Sequence, residues 1–175
     1  VALAALEAKV RVTGKYGERV IPFAYFHRLP GDTPHLDHNL QPDELITGID
    51  LPAQGFAEHN AYLKIRDRDS YAFALVSVAA ALEMDGNLMT DARLALGGVA
   101  HKPWRDPEAE NLLKGKPASD AVFHQAAEAL IRGAVGYEHN SFKIQLAHKA
   151  IVRALREAAQ GTGNQWMSNG NVKNI

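Results

Sequence analysis

Residues 73–99 read FALVSVAAALEMDGNLMTDARLALGGV, and the fold turns on the first half of that stretch. The run from Phe73 to Met84 is long enough for a helix, and its alanines favour one. Val76 and Val78 favour a strand instead. Asp85-Gly86 is a strong hairpin-turn pair, and a second apolar stretch, Leu88 to Val99, follows at once. Two antiparallel strands joined at Asp85-Gly86 satisfy both features.

Upstream, LITGIDL (Leu45 to Leu51) reads as a strand stopped by Pro52, and NAYLKIR (Asn60 to Arg66) as another. The chain opens on VALAALEA, an Ala/Leu helix with no capping residue before it, so it is expected to start inside a helix, as a piece of a longer protein would. KVRVT and RVIPF flank GKYG and predict a β-hairpin, with Pro22 placing the second strand at an edge. Residues 24–42 are rich in turn formers and read as a long loop or a linker. A boundary is expected near residue 40.

Downstream the pattern changes to helices. Asp106 to Lys114 has Pro107 at a favourable first position. Ser119 is the expected N-cap of a helix to Arg132, with Phe123, Ala126, Ala127, Leu130 and Ile131 inward and Gly133 after it. Ser141 is the expected cap of the last helix, whose inward stripe is Ile144, Ala147, Ile151, Ala154, Leu155 and Ala158. Strands first and helices last predict an α+β fold. Its parts are an antiparallel three- to four-stranded sheet with a three-helix layer on one face, preceded by a helix and a hairpin. The expected divisions are 1–40, 41–160 and a flexible tail, 161–175.

The 175 residues carry 19 basic and 20 acidic side chains, so no charge excess points to nucleic acid or an anionic membrane surface. There is no cysteine, which removes disulfides, thiolate-held clusters and a thiol nucleophile from this chain. No apolar run approaches the roughly 20 residues that span a bilayer. No glycine-rich phosphate loop follows a strand. His35 and His38, with Asp37 between them, are the one metal-like spacing, and a solvated turn-forming loop explains them as well. KIRDRD (Lys64 to Asp69) reads as a solvated ion-pair network at a strand end, or as a cation facing an anionic or electron-rich ligand. Gly97-Gly98 is read as a close backbone approach.

Four segments, LITGIDLP, AYLKIRDRDSYAFALVSVAAAL, ALGGVAHKPWR and FKIQLAHKAIVRAL, together resemble the FAD-binding (medium) subunit of molybdenum hydroxylases, the family of xanthine dehydrogenase, aldehyde oxidoreductase and carbon monoxide dehydrogenase. The resemblance covers about residues 1–160. It implies that residues from about 42 onward are the subunit's C-terminal α+β domain, and that residues 1–40 are the last helix and hairpin of its FAD domain. It implies an oxidoreductase complex in which a molybdenum cofactor and iron–sulfur clusters sit in partner subunits and electrons reach an external acceptor through FAD. Partners would be the iron–sulfur and molybdenum-cofactor subunits, and the location the cytoplasm, or the periplasm behind an exported partner. The resemblance carries two positions over as cofactor-binding: Ile46 or its neighbour Leu45, packed near the isoalloxazine ring, and Lys64, a cation near it. The family's pyrophosphate-binding loops lie upstream of these segments, so residues 1–175 alone are expected to hold FAD poorly and to be inactive. Two other readings stay open: a docking domain with no flavin contact, and a small metal-dependent hydrolase using the loop histidines.

Overall fold

A computed structural model describes residues 1–53 and 55–162. The contested stretch is a hairpin. β5 (Val76–Asp85) pairs with β6 (Leu88–Gly97) antiparallel, with Asp85 opposite Leu88. The two loop residues are therefore Gly86 and Asn87, one position later than the expected turn. Gly86 has φ +58, the left-handed value that glycine tolerates at the first loop position.

The alanines that argued for a helix have a packing explanation. Val76, Val78, Ala80 and Leu82 face one side with Leu94 and Leu96, in the main core. Ala79 and Ala95, opposite each other in the register, face the other side against α1 (Ala2–Ala5). Both faces are covered, so β5 shows an apolar run rather than alternation. Gly97 continues the small-residue strip: a side chain there would strike Val1 and Ser77. Gly98 turns the chain out of the strand at φ +76, and a Cβ would sit 2.8 Å from the Ala74 carbonyl oxygen. The expected close backbone approach is thus present.

β4 (Asn60–Ile65) pairs with β5, and two short strands, β7 (Trp104–Arg105) and β8 (Lys116–Pro117), both pair with β6. Three helices cover the core face: α2 (Pro107–Asn111), α3 (Asp120–Leu130) and α4 (Phe142–Ala159). This is the expected α+β fold with its helix layer. The Asp106 carboxylate caps α2 through the Glu108 amide at 2.9 Å. Ser119 and Ser141 stand at the starts of α3 and α4 but make no capping bond with their side chains. The Ser141 hydroxyl instead donates to the Tyr137 carbonyl, and Asp120 is drawn into a two-bond pair with Arg156 of α4. In α4 the buried stripe is wider than expected, adding Ala150 and Val152, while Ile144 is half-buried.

β1 (Lys9–Gly14) and β2 (Gly17–Pro22) form the expected hairpin, with β2 and its Pro22 at the sheet edge. One expectation is corrected here. LITGID is β3 (Leu45–Asp50), and it joins this first sheet, in the order β2-β1-β3, rather than opening the second sheet. The intervening loop is not a linker either. It folds back on itself through a His27–His38 bridge, an Arg28 amide bond to the Asp37 carbonyl and an Asn39 amide bond to the Phe26 carbonyl. Phe26 joins Val10, Val12 and Ile21 in a small core, and the folded loop delivers β3 to the free edge of β1. The expected tail is described only to Thr162; residues 163–175 lie outside the described residues.

Two expected outcomes follow from this packing. Gly98→Ala combines a left-handed φ with a backbone clash and should lower stability by about 1–3 kcal/mol, read as a fall in the thermal midpoint. Glu44, at the entry to β3, accepts two bonds from Arg19, at 2.6 and 2.7 Å, and one from the Gln41 amide. The Arg19 guanidinium, with the Gln41 amide second, lowers its pKa to about 2 from 4.5. A depressed carboxylate pKa contributes stability in full above its unfolded value, and that contribution is lost as pH falls from about 4.5 towards 2. Amide exchange across residues 39–46 should rise over that window, and Arg19→Met should return the Glu44 titration, followed by NMR, to the ordinary carboxylate range.

Candidate functional site

β3 is an unusual edge strand, because almost nothing on it is buried. Leu45 is 74% exposed and Ile46 49%, with Ile49 and Leu51 similar. The register explains which way they point. Ile46 lies opposite Val12 and Ile49 opposite Val10, so these two share the face of the small core. Leu45 lies opposite Thr13, on the reverse face. A register shift between Arg11 and Val12 leaves Thr47 as the extra residue, and this bulge keeps both isoleucines on one side. On the reverse face the Arg11 guanidinium crosses Gly48, where a Cβ would come within 2.6 Å of it, to reach Asp50 at 3.2 Å.

Lys64 is on the other sheet. It lies opposite Ser77 in the β4–β5 register, while Leu63 and Ile65 pack into the main core. Its side chain therefore stands on the face that α1 occupies. It is exposed and has no hydrogen-bond or ion-pair partner among the described residues. The ion-pair network expected for KIRDRD is not formed: the Arg68 guanidinium donates to the Tyr71 carbonyl, and no ion pair joins Lys64, Arg66, Asp67 or Asp69 among the described residues.

The β4–β5 loop adds two side chains that the sequence reading passed over. Phe73 opens the apolar run that predicts the strand, but β5 begins at Val76 and leaves it in the loop. Tyr71 is 95% exposed and Phe73 97%, and Tyr71 has φ +55, rare for an aromatic residue. Free aromatic faces on a strained loop that follows the strand carrying Lys64 suit a flat aromatic ligand. The available signal was two aromatic residues in a segment too polar to be core, DSYAF.

The loop histidines make a different arrangement. His38 stacks on Phe26, and its Nδ1 accepts a bond from the Leu40 amide at 3.3 Å. Among the described residues no three His, Cys, Asp or Glu side chains are grouped to hold a metal ion. No described helix is long and apolar enough to cross a membrane.

The two sheets correspond to two known sequence families. Residues 61–158 match the CO dehydrogenase flavoprotein C-terminal domain, and residues 1–54 match the FAD binding domain in molybdopterin dehydrogenase. The aldehyde oxidoreductase FAD-binding subunit PaoB of Escherichia coli (strain K12) is 42% identical over 163 residues, 90% of this chain and 46% of that protein. The glyceraldehyde dehydrogenase medium chain of Sulfolobus acidocaldarius is 34% identical over 128 residues, 73% of this chain and 43% of that protein. The chain thus spans about half the length of the curated relatives it matches. The carbon monoxide dehydrogenase of Hydrogenophaga pseudoflava superposes with a TM-score of 0.79 at 27% identity, over 90% of this chain and 54% of that one. Quinoline 2-oxidoreductase from Pseudomonas putida 86 gives 0.77 at 26%, over 90% and 54%. With more than half its length in the matched C-terminal domain, and the end of a FAD-binding domain before it, the chain belongs to the FAD-binding subunit family of the molybdenum hydroxylases.

Proposed function

We propose that this chain is the C-terminal part of the flavin subunit of a molybdenum hydroxylase, acting on a xanthine- or aldehyde-type substrate held elsewhere in the complex. Its partners in this reading are an iron–sulfur subunit and a molybdenum-cofactor subunit, and it works in the cytoplasm. The split lies between β3 and β4: the first sheet closes the FAD-binding domain and the second sheet with its helices is the C-terminal domain. The carrying observation is the arrangement of exposed groups. Leu45 and Ile46 on β3 offer apolar surface, and Lys64 with Tyr71 and Phe73 offers a cation and aromatic faces. This donor set fits an isoalloxazine ring, which is flat, mostly apolar and gains negative charge on reduction.

FAD, when bound, supplies the two-electron couple between the iron–sulfur clusters and the external acceptor. The protein residues set its surroundings. Ile46, or Leu45 from the reverse face of β3, would keep water from one side of the ring. Lys64 adds a positive charge that no carboxylate neutralises among the described residues, which favours the charged, reduced form. Tyr71 is free to lie against the ring and shield it.

Two measurements test this. The full-length subunit should show a flavin absorption spectrum; a colourless full-length subunit, docking normally with its partners, would establish the docking-domain reading instead. Lys64→Met keeps the side chain's bulk and removes its charge. It should lower the flavin potential by up to about 30 mV, which for a two-electron couple is ~1.4 kcal/mol, with FAD still bound. Redox titration reads the shift, and an unchanged potential would leave Lys64 as an ordinary strand-end charge.

A further inference from the structure

The two sheets are joined by two chain crossings, and one cluster of charged side chains touches both. The first crossing runs from α1 through Glu7 into β1. Glu7 has φ +54, a left-handed backbone at a position that ends a helix and that glycine would fill without strain. The second crossing runs from β3 to β4 through Phe56, also left-handed at φ +60.

Arg93 on β6 and Arg105 on β7 reach these crossings from the second sheet. The Arg105 Nη2 donates to Glu7 Oε1 at 2.9 Å, and its Nη1 donates to the Ala4 carbonyl at 3.2 Å. Arg93 Nη2 lies 3.5 Å from the other Glu7 oxygen, and its guanidinium sits 5.4 Å from the centre of the Phe56 ring. The Phe56 amide donates to Glu83 of β5.

Arg105 is also held from its own side of the junction. Glu110 of α2 is 2% exposed, takes two bonds from Arg105 at 2.6 and 2.8 Å, and accepts the Leu94 amide at 2.8 Å. Its carboxylate thus fixes one edge of the guanidinium and leaves the other facing α1. Burial works against the Arg105 charge, but Glu110 and then Glu7 outweigh it and raise its pKa. Arg93 is held in turn by Asp91 at 2.9 Å, which also binds Lys114 at 2.7 Å. The arginine side chains are only 12% and 16% exposed while Glu7 is 49% exposed, so these pairs are shielded from solvent on the arginine side alone.

We propose that Glu7, Arg93 and Arg105 form a clasp that sets the register of the first sheet on the second, and that they are positioning residues for the flavin site. The inference rests on the functional reading above for its flavin part. Leu45 and Ile46 ride on the first sheet and Lys64 on the second, so the relation between them is only as well defined as the junction. The apolar contact there, Ala5 on Ala79 and Ala95, is made of small groups that resist sliding weakly. The charged pairs supply the direction that such a contact lacks.

The test uses the full-length subunit with Glu7→Gln, Glu7→Gly and Arg105→Lys. Glu7→Gln keeps the size and removes the charge. Glu7→Gly relieves the left-handed backbone, so if Glu7 only ended the helix this variant would protect the junction. The clasp predicts the reverse: both Glu7 variants should speed amide exchange in residues 4–8 and 55–60 at least tenfold. Both should also alter the circular dichroism of the bound flavin while FAD stays stoichiometric. Arg105→Lys keeps the charge but loses the two-sided grip, and should fall between wild type and Glu7→Gln. Slower or unchanged exchange in Glu7→Gly would overturn the clasp. Faster exchange with an unaltered flavin signal would overturn the positioning role. A full-length subunit without flavin would overturn the functional reading and the positioning role with it, while the exchange rates still decide the clasp.

Discussion

The β5–β6 hairpin is enclosed on both faces, and the two faces make opposite demands. On the helix side, Val76, Val78, Leu82, Leu94 and Leu96 supply the bulk that α3 and α4 bury. On the other side, Ala79, Ala95 and Gly97 must stay small, because α1 lies directly on them. A branched residue at Ala79 or Ala95 would lift α1 away and carry β1 with it, since only Leu6 to Ala8 separate helix from strand. The placement of the first sheet therefore depends on the absence of side-chain volume at a few positions in the second.

This gives the chain its division of labour. The second sheet and its helices are a conventional one-core α+β unit. The first sheet is thin: its own core is Val10, Val12, Ile21 and Phe26, and β3 at its edge is almost entirely exposed. An edge strand carrying Leu45, Ile46 and Ile49 in the open, with Leu51 just after it, is an aggregation hazard unless something covers it. A sheet of this kind suits the end of a larger FAD-binding domain, which is the family matched by residues 1–54. The proposed flavin contacts fall on both sides of the junction, so the site is a property of how the two sheets meet rather than of either one.

Ionic contacts are concentrated where the apolar contacts are weakest. In the second unit, Asp120 with Arg156 ties α3 to α4 at the surface, outside the apolar core. The loop that carries the chain to β3 is held by Arg19 with Glu44 and by Arg28 with Asn39 and Thr33. The junction is held by Glu7, Arg93, Arg105 and Glu110. Small apolar groups give attraction without direction, and planar guanidinium–carboxylate pairs supply the direction.

Much of the fold was legible in the chain. The opening hairpin follows from the alternation in KVRVT and the glycines around it, α3 and α4 from their 3.6-residue stripes, α2 from Pro107 at its start, and the central hairpin from Val76, Val78 and a turn pair, because each of these is a local signal. Leu45 and Ile46 stood out only through a family resemblance; Lys64 was also marked by the charge alternation of KIRDRD at a strand end. Tertiary structure decided the rest. LITGID has the same strand signal whichever sheet it joins, and its partner is chosen by the loop that folds back at His27 and His38. Ser119 and Ser141 are good caps by identity, yet Asp120 is taken up by Arg156 and the Ser141 hydroxyl turns to Tyr137. The alanines of β5 favour a helix by propensity, and their place in a strand is explained only once α1 lies on them. Tyr71 and Phe73 become a candidate site only because β5 starts at Val76 and leaves them outside. Local pattern fixed the type of each element, because it depends on near neighbours in the chain. Pairing and exposure depend on groups dozens of residues away, and only the packed structure brings those together.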